Sequence, residues 1–384
     1  MNIIIWVVAG VLVLAVLAVV VVAFAAARSL VVGRPAAPIE YNRIGDEIEF
    51  GASDLTRAAG SYGLLMPDGG HARIGVVLDE QGTSVKRALG RVTGAPLPAQ
   101  GKGRWVRDVY PSPAELGVPF TDVAIVTAGG PAPAWLIPGS GDDAVWAIHL
   151  HGIRTTRSVV LPSVSALLST GVTSLVPSWR GDSEGPPTIG GGSSLGQEEW
   201  RDVDAALEFA VASGARSIVL VGWSMGAMIS SLLLQNSRHV NRVVGVVMVA
   251  PVTSWRTVLA HAVRAARLPA IVGTLVEMIL RTPGLCRLAG LAAPVRLSAL
   301  ESAAARVTVP TLVIHNTGDP TAPFAASVAF VNRNDDHAEL VVFEDAPHAM
   351  EWNREPQRFE ATITNWVTDA VARDRAAAGE EERP

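Results

Sequence analysis

The chain is 384 residues long, 49% of them hydrophobic, and its 31 Lys and Arg stand against 36 Asp and Glu for a formal charge of −5. This apolar content excludes disorder over most of the length and leaves room for a folded catalytic domain. The small charge and the lack of a Lys/Arg-rich run argue against nucleic acid as a partner. Cys286 is the single cysteine, which excludes an intramolecular disulfide and a thiolate zinc site.

From Ile3 to Ala27 no residue is charged, and at about 1.5 Å per residue a helix of this length crosses a hydrocarbon core of roughly 30 Å with some tilt. Residues 1–27 are therefore expected to be a single-pass transmembrane anchor that engages the membrane through residues 3–27. A cleaved signal peptide competes with that reading, because Ala23-Phe24-Ala25 and Ala25-Ala26-Ala27 both place small residues at cleavage spacing. Against it, no Lys or Arg precedes the run, and the run exceeds the usual apolar region of about 7–15 residues. Arg28, Arg34 and Arg43 follow the span, and the positive-inside bias then leaves the catalytic part in the cytoplasm.

Residues 28–45, with Gly33, Pro35 and Pro38, read as a linker. Residues 46–140 are rich in Gly and Pro and carry short β-like runs such as 74–78. The runs 122–127 and 133–137 suggest a hairpin, so this region is expected to be antiparallel. From residue 144 apolar strands alternate with amphipathic helices. Strands are expected at 145–150, 172–176, 217–222, 243–250, 311–315 and 339–343, and a helix at 198–212, where Trp200, Val203, Leu207, Ala210 and Val211 share a face. Such alternation requires crossover connections, hence an α/β fold with a mainly parallel sheet flanked by helices and a ligand site at the strand carboxyl ends. Between Pro251 and Val307 no strand is expected. That stretch reads as a helical cap, serving either as a lid over the site or as ordinary core-covering helix. Residues 373–384 read as a disordered tail.

Gly222-Trp223-Ser224-Met225-Gly226 directly follows an apolar run and precedes a helical one. A strand-to-helix turn this tight pushes the central hydroxyl outward, and glycines two positions either side let the chain pass without a Cβ clash. Gly192-Ser193-Ser194-Leu195-Gly196 fits the same pattern, but it follows prolines and glycines with no strand before it, so Ser194 is read as a loop residue. A serine hydroxyl needs a positioned base, usually a histidine held by a carboxylate. Asp319 falls just past the strand expected at 311–315, and His348 just past the one at 339–343. Glu344 and Asp345, in the histidine's own loop, are alternative acids.

These features resemble the α/β-hydrolase superfamily, particularly its bacterial esterase and prolyl-oligopeptidase-like branches. The resemblance covers residues 118–370 and rests on His149-Leu150-His151-Gly152, Trp179-Arg180-Gly181-Asp182-Ser183-Glu184-Gly185, Gly222–Gly226, Pro310–His315 with Asp319 and Pro323, and Pro347-His348 followed by Trp352-Asn353. Asn316, where glycine is usual, and Ala322, where valine is common, depart from it. The resemblance implies a hydrolase domain over 46–372 and an oxyanion hole from the Met225 and Ile153 N–H groups, with Arg154 as an alternative donor or an anion-binding group. His149 and His151 are expected to pack rather than bind metal, Asp182 to organise its own loop, and Trp179 and Trp223 to be core residues or the lining of an acyl pocket.

The expected function is hydrolysis of a small or lipid-like carboxylic ester through an acyl-enzyme on Ser224, with His348 as base and Asp319 fixing its tautomer. No metal or organic cofactor is implied. A peptidase or thioesterase of the same fold, and a catalytically silent membrane-tethered scaffold, are the alternatives.

Overall fold

The computed structural model of the chain describes residues 2–33, 36–141, 144–344 and 346–381, so Arg34 and Asp345 lie outside the described residues. Helix α1 (Asn2–Val31) opens the chain and, at 1.5 Å per residue, is about 45 Å long. It stops where Gly33 takes the left-handed conformation (φ 77°) and returns its N–H to the Ser29 carbonyl, the usual role of glycine just beyond a helix end. The expected 28–45 linker is therefore much shorter, because helix and strand propensity reach into it from both sides.

The next strands are β1 (Ile39–Ile44), β2 (Glu47–Gly51), β3 (Tyr62–Leu65), β4 (His71–Gln81), β5 (Ser84–Thr93) and β6 (Gln100–Val106), with the one-turn helix α2 (Asp54–Arg57) between β2 and β3. They close into an antiparallel barrel in the order β1-β2-β5-β4-β3-β6, with β6 pairing to both β1 and β3. Alternation sends Ile48 and Phe50, Tyr62 and Leu64, and Ala72 and Ile74 inward with Trp105, and closure leaves no sheet edge unpaired. The expected antiparallel region is thus two separate things. Its first part is a barrel beginning at Ile39 rather than 46, and its last part is a hairpin belonging to another sheet.

Arg87, an inward position of β5, is fully buried in the barrel. Among the described residues no carboxylate pairs with it. Its guanidinium donates to the carbonyls of Gly75, Thr56, Ala58 and Gly60 at 2.6–2.8 Å and lies over the Tyr62 and Trp105 rings at 5.3 Å. A buried charge is tolerable only when its donors are satisfied, and here carbonyl dipoles and ring faces do that.

The hairpin β7 (Thr121–Thr127) and β8 (Gly130–Ile137) leads into β9 (Val145–Leu150), α3 (Leu161–Leu167), β10 (Thr173–Pro177), α4 (Glu199–Ala212), β11 (Ser217–Trp223), α5 (Met225–Asn236) and β12 (Val243–Val249). Helices α6 (Trp255–Ala265), α7 (Ile271–Arg281), α8 (Leu285–Ala289) and α9 (Leu297–Ala304) occupy the stretch expected to be a cap. The chain ends with β13 (Thr311–Asn316), α10 (Phe324–Arg333), β14 (Ala338–Phe343), α11 (Glu351–Arg354) and α12 (Pro356–Glu381). Eight strands order as β14-β13-β12-β11-β9-β10-β8-β7, parallel from β14 to β10 and antiparallel where β8 and β7 extend the edge.

Helices α4 and α5 cover one face through residues such as Leu207 and Met228, and α3 and α12 cover the other through Val164, Phe359 and Trp366. Both faces being dry explains why β9 and β11 are apolar runs rather than alternating ones. The expected disordered tail is instead helical as far as Glu381. Ala370 and Val371 are buried on the sheet, the Ser217 hydroxyl donates to Asp374 at 2.5 Å, and the following alanines favour helix.

The large apolar side chains of α1 between Ile3 and Val21 are exposed except for the half-buried Val19, while Ala23, Ala27 and Val31, one turn apart on one face, are fully buried where α1 packs on α7 and α8. Two small residues there let the helix axes approach closely.

If the barrel depends on Arg87, then Arg87→Met, which strands four carbonyls, lowers stability in urea unfolding by about 3 kcal/mol or more. Lys86→Met, on the neighbouring outward position, stays within about 0.5 kcal/mol.

Candidate active site

The carboxyl ends of β9, β11, β13 and β14 gather one set of loops. Ser224 follows β11 at φ 54°, ψ −112° and is at once followed by α5. The two glycines are sterically required. A Cβ on Gly222 would lie 2.5 Å from the Gly226 backbone, and one on Gly226 would lie 2.2 Å from the Leu150 carbonyl oxygen. The turn is held by the Ser224 N–H donating to Val249 at 2.9 Å and the Val252 N–H donating to the Ser224 carbonyl at 3.1 Å.

The Ser224 hydroxyl donates to Nε2 of His348 at 2.8 Å, and Nδ1–H of His348 donates to Oδ2 of Asp319 at 2.6 Å. Three residues from three strand ends thus form one hydrogen-bonded chain able to pass a proton from hydroxyl to imidazole. Glu344 is exposed and makes no contact with His348 among the described residues; Asp345 lies outside them.

Asp319 receives more than sequence reasoning had found. His315, buried at the end of β13, donates Nε2–H to the same Oδ2 at 3.0 Å, with its Nδ1 accepting from the Ser327 hydroxyl at 2.7 Å. The other oxygen, Oδ1, accepts the N–H groups of Thr321 and Ala322 at 2.7 and 2.8 Å. Burial alone would raise the pKa of this carboxyl, but the hydrogen bonds from His315 and His348, the His348 charge and the Thr321 N–H together hold it well below the usual carboxylate range. It is an anion throughout the neutral range. The spacing of His315 and Asp319 was visible in the sequence; that their side chains turn toward each other was not.

The two departures from the family pattern find their places here. Ala322 serves Asp319 through its backbone N–H, while its small side chain is buried in the core. Asn316 is fully buried and donates to Glu351 at 2.9 Å, tying the Asp319 loop to the helix that follows His348. Burial pushes the Glu351 carboxyl up, against the lowering effect of Asn316.

The loop after β9 passes over the nucleophile position, since a Cβ on Gly152 would lie 3.3 Å from Cβ and 3.8 Å from Oγ of Ser224. His151 holds that loop. Its ring stacks on Trp179 at 3.6 Å and its Nε2–H donates to Asp182 at 3.0 Å. Asp182 also accepts the Trp179 and Glu184 N–H groups at 3.2 and 2.8 Å, as well as that of Gly185. It therefore organises its own loop, as expected, and ties it to the loop after β9 as well.

His149 points the other way, between the hydroxyls of Ser163 and Ser174, with its pKa pulled down to about 3 by burial. It packs as a neutral ring. Trp223 lies on the far face against Phe359, and both Trp179 and Trp223 are almost fully buried, so neither lines an open acyl pocket. Ser194 donates to Glu199 within its own loop. The exposed Arg154 donates from its guanidinium to the carbonyls of Ser29 and, at 3.1 Å, Leu30 rather than turning to the Ser224 hydroxyl.

Residues 136–362 match the family model described as "Alpha/beta hydrolase family", and residues 41–106, the barrel, match a domain of unknown function. No curated protein matches the chain. Among solved structures, the Pyrococcus furiosus esterase Pf2001 is similar at TM-score 0.51 and 20% identity, over 68% of this chain and 94% of that one. Est1E from Butyrivibrio proteoclasticus, with ferulic acid bound, gives TM-score 0.49 and 14% identity, over 65% and 99%. At such identities the first likeness speaks for the fold alone. With a family model spanning more than half its length, on a parallel sheet whose strand ends join a serine, a histidine and an aspartate, the chain belongs to the alpha/beta hydrolase family.

Proposed function

We propose that the protein is a serine hydrolase that cleaves a small or lipid-like carboxylic ester through an acyl-enzyme on Ser224. The single observation that carries this reading is the continuous chain from the Ser224 hydroxyl through His348 to Asp319. His348 takes the hydroxyl proton as Ser224 attacks the ester carbonyl and returns it to the leaving alkoxide. Asp319 keeps Nδ1 protonated and stabilises the imidazolium. Water, deprotonated by the same imidazole, then releases the acid.

The oxyanion of each tetrahedral intermediate is assigned to the N–H groups of Met225 and Ile153. Met225 opens α5, where N–H groups face outward at the positive end of the helix dipole. Ile153 follows Gly152, whose close approach to Ser224 brings that backbone to where an attacked carbonyl oxygen would sit.

The same proposal takes α1 as a retained membrane anchor rather than a cleaved leader. The exposed apolar length from Ile3 to Val21 is roughly 28 Å of helix, close to the thickness of a hydrocarbon core. Cleavage after either alanine triplet would remove Ala23, and with it part of a buried contact. A site tethered this near a bilayer suits an amphiphilic ester, with the catalytic part in the cytoplasm.

A fluorophosphonate probe is expected to label the wild-type protein, and no labelling of folded protein would discard the enzyme reading in favour of a silent scaffold. Ser224→Ala loses labelling together with ester turnover. Asp319→Asn, which stabilises the wrong tautomer, lowers kcat by about 10³–10⁴-fold. His315→Asn, too short to reach Asp319, lowers kcat roughly 10-fold with little change in KM, as suits the loss of a hydrogen bond to a charged group; an unchanged kcat would leave His315 a packing residue. In sealed vesicles and intact cells α1 stays with the membrane fraction. Digestion of the catalytic part by protease added outside cells would reverse the cytoplasmic placement.

A further inference from the structure

The end of α1 is fastened to two loops beside Ser224. On one side, the buried Ser193 N–H donates to the Val31 carbonyl at 3.0 Å, and the Ser193 hydroxyl lies 3.5 Å from Sδ of Met225 while donating to Glu199 at 2.6 Å. On the other, Nη1 of Arg154 donates to the Leu30 carbonyl at 3.1 Å, in the last turn where a helix runs out of its own donors, and to the Ser29 carbonyl, which also accepts the Gly33 N–H. Arg154 sits at φ 57°, a conformation that a non-glycine residue keeps only when its surroundings hold it. The fit is close. A Cβ on Gly33 would lie 2.5 Å from the Arg154 side chain, and one on Gly290, just after α8, would lie 2.5 Å from Val32.

We infer that α1 is a positioning element of the oxyanion hole: its last turn holds the residue after Ile153 from one side and, through Ser193, the side chain of Met225 from the other. This rests on the assignment of the oxyanion to Met225 and Ile153. Neither contact reaches the reacting atoms, so the helix acts through placement of the two N–H donors. A misplacement of about 1 Å can cost up to about 100-fold in rate, while ground-state binding of the ester is left alone. The anchor is then more than a tether, since a hydrolase released from it carries a loosened site.

The test uses the full-length protein in detergent micelles with p-nitrophenyl butyrate. Arg154→Ala is expected to lower kcat about 10-fold with KM within twofold, and Arg154→Lys, which still reaches a carbonyl, to restore most of the loss. Ala27→Trp forces a large ring into the tight α1–α7 contact and is expected to lower kcat further. It should also speed hydrogen exchange in residues 188–196 by at least 10-fold, reporting release of the Ser193 N–H. In the variant carrying both Arg154→Ala and Ala27→Trp the losses do not multiply, because displacing the helix already breaks the Arg154 contact. Each variant also discriminates less between the oxoester and its thionoester, since sulfur is the poorer guest of an oxyanion hole; a merely structural role would not move that ratio.

Wild-type kcat in folded Arg154→Ala, or faster exchange at 188–196 in Ala27→Trp without loss of kcat, would overturn the proposal. Unchanged exchange in Ala27→Trp would do so too, because α1 would then not hold that loop. Should Ala27→Trp not fold, the Arg154 pair decides. A wild-type protein that turns over no ester would instead take down the acyl-transfer reading itself.

Discussion

The turn at Ser224 is the constraint around which the site is built. A serine at φ 54°, ψ −112° sits in a sparsely populated region at a cost of order 1–3 kcal/mol, which persists only because the surroundings leave the chain no other course. Val249, at the end of the neighbouring strand, and Val252, just beyond it, fix the serine backbone. Gly222 and Gly226 are bare because Gly226 itself and the Leu150 carbonyl occupy the space a side chain would need. The arrangement therefore demands β9 and β12 on either side of β11 in parallel register, and so the sheet order and the strained serine imply each other.

Asp319 plays the corresponding part for the imidazole. A carboxylate fully removed from water would ordinarily take up a proton and lose its hold on His348. Two backbone N–H groups on one oxygen and two histidines on the other reverse that tendency. The second histidine has a geometric consequence as well. By sharing Oδ2 it keeps the carboxylate from rotating away from His348, and because a carboxylate only accepts, the proton of His315 sits on Nε2 and Nδ1 is left to accept from Ser327.

Much of this was legible in the sequence where chemistry is local. The apolar runs that became β9, β11 and β13 were bounded to within a residue, because strands dry on both faces read as unbroken hydrophobic runs. Ser224, Asp319 and His348 could be singled out because the first directly follows an expected strand and the other two lie a few residues past one. What escaped was set by partners distant in the chain. Alternation announces a strand but not its neighbour, so the closure of β6 on both β1 and β3 left no mark. Nothing in the sequence marked Arg87, since the four carbonyls that satisfy it lie 12 to 31 positions away. The tail, polar by composition, became helix because the sheet offered it a surface.

The docking of α1 shows the same limit from the other side. Its composition satisfies every requirement of a spanning helix, and that masked a shorter signal within it, the small residues at Ala23 and Ala27 one turn apart. In a bilayer small residues permit close helix approach; here they do so against α7 and α8, so one helix carries an exposed apolar length followed by a buried one. The boundary falls near Val22, where exposure of large apolar side chains gives way to burial. Only a few turns separate that level from the carbonyls that meet Arg154 and Ser193. A rigid helix transmits position along its axis, so a shift of the exposed segment is carried to the last turn and to the Ser224 loops that turn meets.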